Sequence, residues 1–343
     1  MKLSIIVPVY NMAGEGKLDY CIESLLKQNM TDYEIIAVDD ASTDTSVEIL
    51  KQYEKKYPNI LRVICSQTNK KQGGAKNLGL KSATGEWIGF VDADDWIHPD
   101  MYKRLLDKAD ETGADVVGCQ YSITMEHSMD IGKVIQVHKP EQAGVMDDER
   151  KKLWIMNPGS MVIKVYRKEV IDKNGLCFPE NTFYEDNMAA PLWMLCFKRF
   201  ELIDEPLYYY YQHPDSTVHV ISMERCHNRM NMAVKMIEAC KERGLYDKFK
   251  KELEIYFTQI YYVNTLFSYM QAVKMPKPAF LKELKKGMQL YFPDFRNNPY
   301  FASKYDVEQK RMINYHMKNI LWYIGYDRML RLYRRLRYGK AKL

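Results

Sequence analysis

The sequence predicts an α/β fold with a mostly parallel sheet flanked by helices, followed by a mainly α-helical C-terminal domain. Strand-like and helix-like patterns alternate with short connections early in the chain, which is typical of parallel strands joined by helices. Carboxylates directly follow two of these strands, where open α/β sheets bind ligands. Long helical patterns rich in Met, Tyr and Lys begin at Met223. We therefore expect domains at residues 1–218 and 219–343.

Each predicted element follows from a local pattern. Continuous apolar runs predict buried strands, and apolar residues spaced by three and four predict amphipathic helices. Thr45 followed by Glu48 is the pattern of a capping box at a helix start. The predicted strands are Leu3–Val9, Tyr33–Val38, Ile60–Cys65, Trp87–Val91, Asp115–Tyr121 and Glu201–Tyr211, and the predicted helices are Leu18–Gln28, Thr45–Tyr57, Ala75–Ala83, Met101–Thr112 and Met188–Phe197.

The composition is that of a globular protein in a reducing compartment. The chain has 343 residues, 46% of them hydrophobic, and a formal net charge of +5. Its seven cysteines are widely scattered, so they form neither a disulfide framework nor a zinc signature. The N-terminus enters a predicted strand at once, and no stretch has the length and apolarity of a membrane span. We therefore expect a cytoplasmic protein without a signal peptide.

Three carboxylates, Asp92, Asp94 and Asp95, follow the predicted strand Trp87–Val91. Like charges at the edge of a sheet repel one another unless a positive group neutralises them. A divalent cation that also carries substrate phosphates would do so, since Mg²⁺ is typically held by one or two carboxylates plus phosphate oxygens. The alternative is a solvated acidic turn in which an Asp caps the next helix.

Several motifs in a fixed order extend this interpretation across about the first 215 residues. On these motifs the chain resembles an inverting family 2 glycosyltransferase of the GT-A fold, of the type that builds bacterial capsule, exopolysaccharide and cell-wall glycans. The residues from 216 onward are not covered by the resemblance. The matching runs are LSIIVPVYN from Leu3, YEIIAVDDASTD from Tyr33, GGAKNLGLKSATGEWIGFVDADDW from Gly73, YED from Tyr184 and YYYYQHPDS from Tyr208.

The resemblance implies a nucleotide-sugar donor, with UDP as the expected nucleotide, bound after the first two strands. Pro8, Val9 and Tyr10 are expected to pack against the base and ribose. Asp40, with Asp39 beside it, is expected to accept hydrogen bonds from the base or ribose. An ordinary strand exit is the alternative for the first three residues, and loop capping is the alternative for the two acids.

The resemblance also implies that Gly74, Lys76 and Asn77 bind the donor at a helix start, where backbone N–H groups favour an anion. Family members most often have Arg where Lys76 stands. Lys lacks the planar guanidinium fork, so we expect a simple phosphate contact in place of a bidentate one. Asp92 and Ala93 are expected beside the ribose. A glycine pair before a helix is otherwise a simple turn.

The expected cofactor is a divalent cation, Mn²⁺ or Mg²⁺. By the resemblance, Asp94 is its direct ligand and Asp92 lies close to it. His213 is a further candidate for metal or phosphate, because Gln212 stands where Arg is common. A Lewis acid at this place stabilises the charge that develops on the departing nucleoside diphosphate. For His213 the alternative is an exposed or core histidine with no ligand.

An inverting transfer needs a carboxylate that takes the proton of the attacking hydroxyl as the new bond forms. The resemblance assigns this role to Asp186 and the binding of acceptor hydroxyls to Glu185. Both acids stand at the start of the predicted helix Met188–Phe197. Acids in a first helical turn also complement the helix dipole, which is the alternative.

Two further segments carry expectations. The polar stretch 122–160 is too long for an ordinary connection, and we expect a partly mobile region that helps to form the acceptor pocket. The segment 327–342 combines basic residues with apolar ones such as Met329 and Leu336 at helical spacing. Such a helix fits an anionic membrane surface at the inner face of the cell membrane. A solvated face or a contact in a homo-oligomer is the alternative, and no nucleic-acid motif accompanies the basic residues.

The sequence thus predicts a metal-dependent inverting glycosyltransferase that moves a sugar from a nucleotide donor to a hydroxyl of a glycan or glycolipid in surface polysaccharide synthesis. One alternative is a non-catalytic module that binds a sugar nucleotide or tethers a partner enzyme to the membrane. Another is a nucleotidyltransferase, which would need a Gly-rich triphosphate loop after the first strand. Gly14, Gly16 and Lys17 match such a loop poorly.

Overall fold

The structure is a computed structural model that describes residues 1–212 and 221–338. The chain forms two compact units, Met1–His219 and Val220–Leu343. The described residues of the first unit combine strands and helices, and those of the second are helical. His213, one of the candidate metal ligands, lies outside the described residues.

The described residues form ten strands and fourteen α-helices. The strands are β1 Leu3–Val9, β2 Tyr33–Asp39, β3 Leu61–Cys65, β4 Trp87–Phe90, β5 Trp96–Ile97, β6 Val116–Thr124, β7 Lys133–Ile135, β8 Gly144–Val145, β9 Lys164–Arg167 and β10 Arg199–Tyr211. The helices of the first unit are α1 Lys17–Leu26, α2 Ser46–Lys56, α3 Lys71–Ser82, α4 Met101–Thr112, α5 Asp148–Met156, α6 Lys168–Lys173 and α7 Asp186–Met194. Those of the second unit are α8 Met223–Glu242, α9 Lys250–Phe257, α10 Thr265–Ala272, α11 Pro278–Tyr291, α12 Phe301–Lys304, α13 Val307–Lys318 and α14 Ile320–Tyr338.

The strands form one mixed sheet in the order β3-β2-β1-β4-β9-β6-β10-β5, with β7 beside β6 and β8 beside β10. The half made of β3, β2, β1 and β4 is parallel. Strand β9 lies between β4 and β6 and runs antiparallel to both, so the sheet is less parallel than the sequence pattern predicts. The predicted α/β class with a helical C-terminal part is confirmed.

Several element boundaries differ from the prediction. Helix α3 begins at Lys71, four residues before the predicted start, and β6 extends to Thr124. The predicted capping box at Thr45 is wrong, since the Thr45 side chain makes no capping hydrogen bond. Instead a carboxylate oxygen of Asp44 accepts the backbone N–H of Ser46 at 3.0 Å. The charged oxygen one residue earlier therefore replaces the hydroxyl at this helix start.

The segment 122–160 contains regular secondary structure, and the partial mobility and acceptor contacts that we expected of it stay predictions. It holds β7, β8 and α5. Asp147 caps α5 by accepting the backbone N–H of Arg150 at 2.9 Å. The amide oxygen of Gln120 in β6 accepts the backbone N–H of Val137 at 2.7 Å. These short elements have too few apolar residues to produce a periodic pattern, so sequence reasoning missed them.

Helix α3 lies unusually close to the centre of the sheet. A Cβ atom on Gly79 would lie 2.5 Å from Cγ2 of Ile6 in β1, which is too close for any residue except glycine. All residues of β1 and β2 are buried. The close approach places the first turns of α3 beside the ends of these two strands, which is where the candidate site lies.

The second unit consists of helices in its described part. Helix α8 is capped by Ser222, whose hydroxyl accepts the backbone N–H of Arg225 at 3.1 Å. Helices α9 and α10 are joined by a π-helical stretch, Thr258–Asn264. Among the described residues, none of the helices combines the length and the apolar character that crossing a bilayer requires.

Strand β9 carries a buried lysine. Lys164 is 1% exposed, and its ammonium donates to the carbonyl of Ser160 and lies 5.3 Å from the centre of the Trp154 ring. Within the described residues no carboxylate forms an ion pair with it. Burial therefore lowers the pKa of Lys164 to about 7.

We predict that Lys164→Met raises the free energy of unfolding more, or lowers it less, at about pH 6 than at about pH 9. The pKa of Lys164 is about 7 in the folded chain and about 10.4 in an unfolded one. The native chain therefore gains stability as the pH rises between these values, because the unfolded state then binds more protons. The substitution abolishes that gain, and it removes the hydrogen bond to Ser160 at every pH.

Urea midpoints measured at the two pH values test this prediction. Lys133→Met, at an exposed position of β7, is the matched control and should show no such pH dependence. Equal effects of Lys164→Met at both pH values would contradict it.

Candidate active site

The candidate site begins where three neighbouring parallel strands end. Asp39 and Asp40 stand at the end of β2, and Asp92 follows β4, with β1 paired between them. Because the carboxyl ends of parallel strands meet at one edge of a sheet, these acids share that edge. The arrangement follows from the pairing of β1 with β2 and with β4.

Asp40 and Asp39 are each 2% exposed and offer unused acceptors. One oxygen of Asp40 accepts the backbone N–H of Lys70 at 2.8 Å, and one oxygen of Asp39 accepts that of Ser42 at 3.1 Å. The other oxygen of each carboxylate has no hydrogen-bond partner among the described residues. Burial raises the pKa of Asp40, although the backbone N–H groups of Lys70 and Lys71 oppose it. A ligand that donates an N–H or O–H would satisfy these oxygens.

The loop after β1 is fixed against the loop after β2. The backbone N–H of Asn11 donates to the Ser42 hydroxyl at 2.9 Å, and the Asn11 side chain accepts the N–H of Thr43 at 2.8 Å. Pro8 and Val9 are buried within β1, whereas Tyr10 is 43% exposed. Of the three predicted base contacts, only Tyr10 therefore presents much of its surface to a ligand.

The first two turns of α3 connect the acidic groups. The backbone N–H of Lys70, just before the helix, binds Asp40. The amide of Gln72 donates to a carboxylate oxygen of Asp92 at 3.0 Å. Lys76 donates to Glu185, which directly precedes α7, at 2.9 Å. Sequence reasoning missed Gln72, since a single Gln at a helix start carries no recognisable signal.

The Lys76–Glu185 ion pair is almost fully buried. The two residues are 3% and 4% exposed. Burial alone would lower the pKa of Lys76, but the charges of Glu185 and Asp92 outweigh this effect and raise the pKa. The structure thus places Lys76 beside Glu185 and Asp92, and its predicted phosphate contact would have to be made from this position.

Asn77 and Gly74 serve local packing in the structure. The Asn77 amide donates to the carbonyl of Phe178 at 2.9 Å, and its oxygen accepts the N–H of Phe178 at 2.8 Å. It also donates to Glu180 at 3.0 Å. A Cβ on Gly74 would lie 2.2 Å from Cβ of Lys70. These contacts fix the chain that leads to Glu185, and the predicted donor contacts of Asn77 and Gly74 stay predictions.

Asp95 connects the loop after β4, which also carries Asp92 and Asp94, to strand β10 through hydrogen bonds. It is 1% exposed and accepts the hydroxyl of Tyr208 at 2.6 Å and the backbone N–H of Tyr211 at 2.9 Å. The Tyr208 hydroxyl also accepts the backbone N–H of Asp92 at 3.3 Å. Burial, followed by the charges of Asp94 and Asp92, raises the pKa of Asp95 well above its usual range. Asp95 therefore positions the loop, in which Asp92 and Asp94 are partly exposed.

Asp186 is the first residue of α7. Its charge interacts with those of Glu185, Lys76 and Asp92. It is accessible to solvent, whereas the neighbouring Glu185 is buried. The surrounding protein and the charge of Glu185 raise the pKa of Asp186 to about 6. Burial, and the charges of Asp94, Glu185 and Asp186 in turn, raise the pKa of Asp92 to about 6 even though Lys76 opposes them. The predicted metal loop and the predicted base thus share one electrostatic environment.

The chemistry of these side chains fits a divalent cation bound together with phosphates. Within the described residues, no group of three or more His, Cys, Asp or Glu side chains is arranged to hold a metal by itself. Mg²⁺ and similar ions need just one or two carboxylates when substrate phosphates complete the coordination. Asp92 lies among the charges of Asp94, Glu185 and Asp186, which raise its pKa after burial does, and Lys76 opposes them. The carboxylates of Asp92 and Asp94 thus have the chemistry of oxygen ligands for a cation.

Residues 4–175 match the family described as Glycosyl transferase family 2, and this match covers half of the chain. The chain belongs to glycosyl transferase family 2. The matched residues include Asp40, Lys76, Asp92 and Asp94, whereas Asp186 lies beyond them. The predicted family is thereby confirmed.

Two bacterial relatives in this family are similar to the chain over its first part. The uncharacterized glycosyltransferase YibD of Escherichia coli is 33% identical over 234 residues, which are 67% of this chain and 65% of that protein. The uncharacterized glycosyltransferase EpsJ of Bacillus subtilis is 34% identical over 226 residues, which are 64% of this chain and 63% of that protein. The similarity thus spans just under two thirds of the length of either relative.

A third relative has a known structure. TarS of Staphylococcus aureus, a poly(ribitol-phosphate) beta-N-acetylglucosaminyltransferase, is 31% identical over 216 residues, which are 61% of this chain and 35% of that protein. The crystal structure of its residues 1–349 in complex with UDP-GlcNAc superposes with a TM-score of 0.63 at 23% identity, covering 91% of this chain and 90% of that chain. This likeness supports the fold over the 91% of the chain that the superposition covers.

We predict that Lys76→Met lowers the free energy of unfolding by about 3–5 kcal/mol, because it leaves the buried carboxylate of Glu185 without a partner. Combining it with Glu185→Leu should recover much of this loss, since an apolar pair replaces the ions. Urea unfolding of both single variants and the double variant measures the coupling.

The control is Lys70→Met on the same stretch of chain. Lys70 forms a half-exposed ion pair with Glu180 at 3.3 Å, so its loss should cost less than about 1 kcal/mol. If the loss of stability in the double variant equalled the sum of the losses in Lys76→Met and Glu185→Leu, the pair would not be coupled.

Proposed function

We propose that the protein is a metal-dependent inverting glycosyltransferase that transfers a sugar from a UDP-sugar to a hydroxyl of a glycan or lipid-linked acceptor in surface polysaccharide synthesis. The observation that carries the proposal is the shared electrostatic environment of Asp92, Asp94, Glu185 and Asp186 at one edge of the sheet. Membership of glycosyl transferase family 2 supports the reaction class.

The unused oxygens of Asp39 and Asp40 support binding of a nucleoside. A uracil ring offers an N–H donor and a ribose offers hydroxyl donors, and either would satisfy an oxygen that is otherwise buried without a partner. Tyr10 is the exposed side chain at the end of β1 that would cover the ring. TarS was crystallised with UDP-GlcNAc, which supports UDP as the nucleotide.

Asp94 and Asp92 would hold Mn²⁺ or Mg²⁺ through their carboxylate oxygens. When bound, such a cation supplies a Lewis acid for the charge on the departing diphosphate. Gln72 and the Tyr208–Asp95 contact orient the two carboxylates. The ammonium of Lys76 is held by Glu185 and opposes the rise in the pKa of Asp92. It would thus supply a fixed positive charge close to Asp92.

Asp186 would take the proton of the acceptor hydroxyl. Its accessibility to solvent leaves room for the acceptor, and a pKa of about 6 places it mostly in the carboxylate form at neutral pH. A base with a pKa just below the working pH combines basicity with the correct protonation state. Glu185 is bound to Lys76, so in our proposal it holds the charge balance of the site more than it binds acceptor hydroxyls.

The alternatives are less well supported. For a nucleotidyltransferase, Lys17 would have to reach a triphosphate, but in the structure its ammonium forms an ion pair with Glu15 at 3.1 Å. A non-catalytic module that binds a sugar nucleotide would have no need of an accessible carboxylate with a raised pKa beside the metal loop. Turnover measurements distinguish the module from the enzyme.

We predict that Asp186→Asn abolishes sugar transfer but retains donor binding, because the base acts on the acceptor alone. In the native enzyme, the rate should rise with pH through about 6 as Asp186 loses its proton. Both effects are measured by following the release of UDP from about pH 5 to 8 in the presence of a cell extract that contains the acceptor. Full transfer by the Asn variant would overturn the assignment of the base.

We predict that UDP-sugars raise the melting temperature in the presence of Mn²⁺, and that chelator removes most of the shift, since a ligand that binds the native state stabilises it. GDP- and dTDP-sugars should give smaller shifts. Asp94→Asn should lose the dependence on Mn²⁺, and Asp40→Asn should weaken the distinction between nucleotides. A shift for Asp94→Asn that chelator still removes, as it does for the native chain, would contradict the metal assignment.

A further inference from the structure

The last described helix, α14, presents an apolar face to solvent. In an α-helix successive residues are turned by about 100°, so residues spaced by three, four and seven share a face. A set with this spacing lies on one side of α14 and is mostly more than half exposed. The set, which we call the outward face, consists of Leu321, Trp322, Gly325, Met329, Leu332, Tyr333 and Leu336, and it contains no charged residue.

The opposite side of α14 already has its packing partners. Tyr323 is 0% exposed and Ile324 is 9% exposed. Asp327 is buried and accepts from Arg331 at 2.7 Å, and Arg334 pairs with Glu308 of α13 at 2.5 Å. The fold of the second unit therefore uses the inward side, and it leaves the outward face without a partner among the described residues.

Arginines border the outward face on both sides. Arg328 and Arg335 lie along one edge, and Arg337 lies along the other, where it contacts Tyr333. Neither Arg328 nor Arg335 forms an ion pair with a carboxylate of the described residues. The acidic residues nearest in the helix and in α13, Asp327 and Glu308, are engaged by Arg331 and Arg334. The charged residues that border the face are therefore all positive.

We propose that the outward face of α14 docks on an anionic lipid bilayer. Large apolar side chains, with Trp322 at 70% and Leu336 at 78% exposure, would enter the region between headgroups and acyl chains. The bordering arginines would contact lipid phosphates. This is the pattern of a helix that lies in the plane of a membrane, where apolar burial and attraction to anionic lipids act together.

A second copy of the chain fits this surface less well than a bilayer does. Pairing two such faces would bury the apolar residues, but it would bring the arginine borders of both copies together. Within the described residues, the face and its borders offer no carboxylate to separate those charges, and juxtaposed like charges disfavour association. Anionic lipids supply the negative charge that a second copy lacks. The proposal does not depend on donor binding by the first unit.

Flotation of the full chain with vesicles tests the proposal. The native chain should float with phosphatidylcholine vesicles that contain about one third phosphatidylglycerol, and much less with phosphatidylcholine alone. Combining Trp322→Ser with Leu336→Ser should reduce the apparent partition constant by at least about tenfold. Leu290→Ser, at an equally exposed leucine outside α14, should leave it unchanged.

A second pair of variants tests the charge. Arg328→Glu with Arg335→Glu should reduce binding to anionic vesicles by at least about tenfold, whereas Lys55→Glu with Lys56→Glu, an equal charge change at exposed positions of α2, should have a much smaller effect. Melting curves establish that each variant is folded. Failure of the native chain to float, or equal flotation of the outward-face variant, would overturn the proposal. So would a concentration-dependent dimer that is lost in that variant, since this would identify a second copy as the partner.

Discussion

The site depends on the buried ion pair between Lys76 and Glu185. These residues are far apart in the sequence, and their contact at 2.9 Å joins α3 to the start of α7. A lysine or a glutamate alone in this place would be an unpaired buried charge, which is strongly unfavourable. The pair therefore requires both helices to be correctly placed, and it brings Asp186 beside the loop that carries Asp92 and Asp94. Without the ion pair, this contact would no longer fix the position of Asp186 relative to the acids that follow β4.

Within the described residues, the carboxylates around this ion pair outnumber its single ammonium. One ammonium stands among four carboxylates, those of Asp92, Asp94, Glu185 and Asp186. Burial is the largest cause that raises the pKa values of Asp92 and Asp186 to about 6, and the neighbouring carboxylates add to it. In the proposed mechanism, the repulsion among these carboxylates would fall when a cation and its bound diphosphate enter together. Metal affinity and donor binding would then be coupled.

The sheet edge was predictable and the contacts across the site were not. Apolar runs that end on Asp39 and Asp92 identify strands and their acidic ends from local sequence alone. The role of Lys76 depends on Glu185, and the role of Asp95 depends on Tyr208, both more than a hundred residues away. No local pattern encodes such pairs. The structured elements in 122–160 were missed for a related reason, since side-chain hydrogen bonds of Gln120 and Asp147 hold them and no periodic pattern marks such bonds.

The division of work between Glu185 and Asp186 follows from helix geometry. Consecutive residues at a helix start point about 100° apart, so one of two adjacent acids faces inward when the other faces out. Glu185 is 4% exposed and is held by Lys76, while Asp186 is open to solvent. The inward acid is held in place by its ion pair. Desolvation by the surrounding protein, and after it the charge of Glu185, raises the pKa of Asp186 to about 6, so its carboxylate is more basic than that of an isolated aspartate. In the proposed mechanism, this adjacent pair would supply a base suited to neutral pH from two ordinary carboxyl groups.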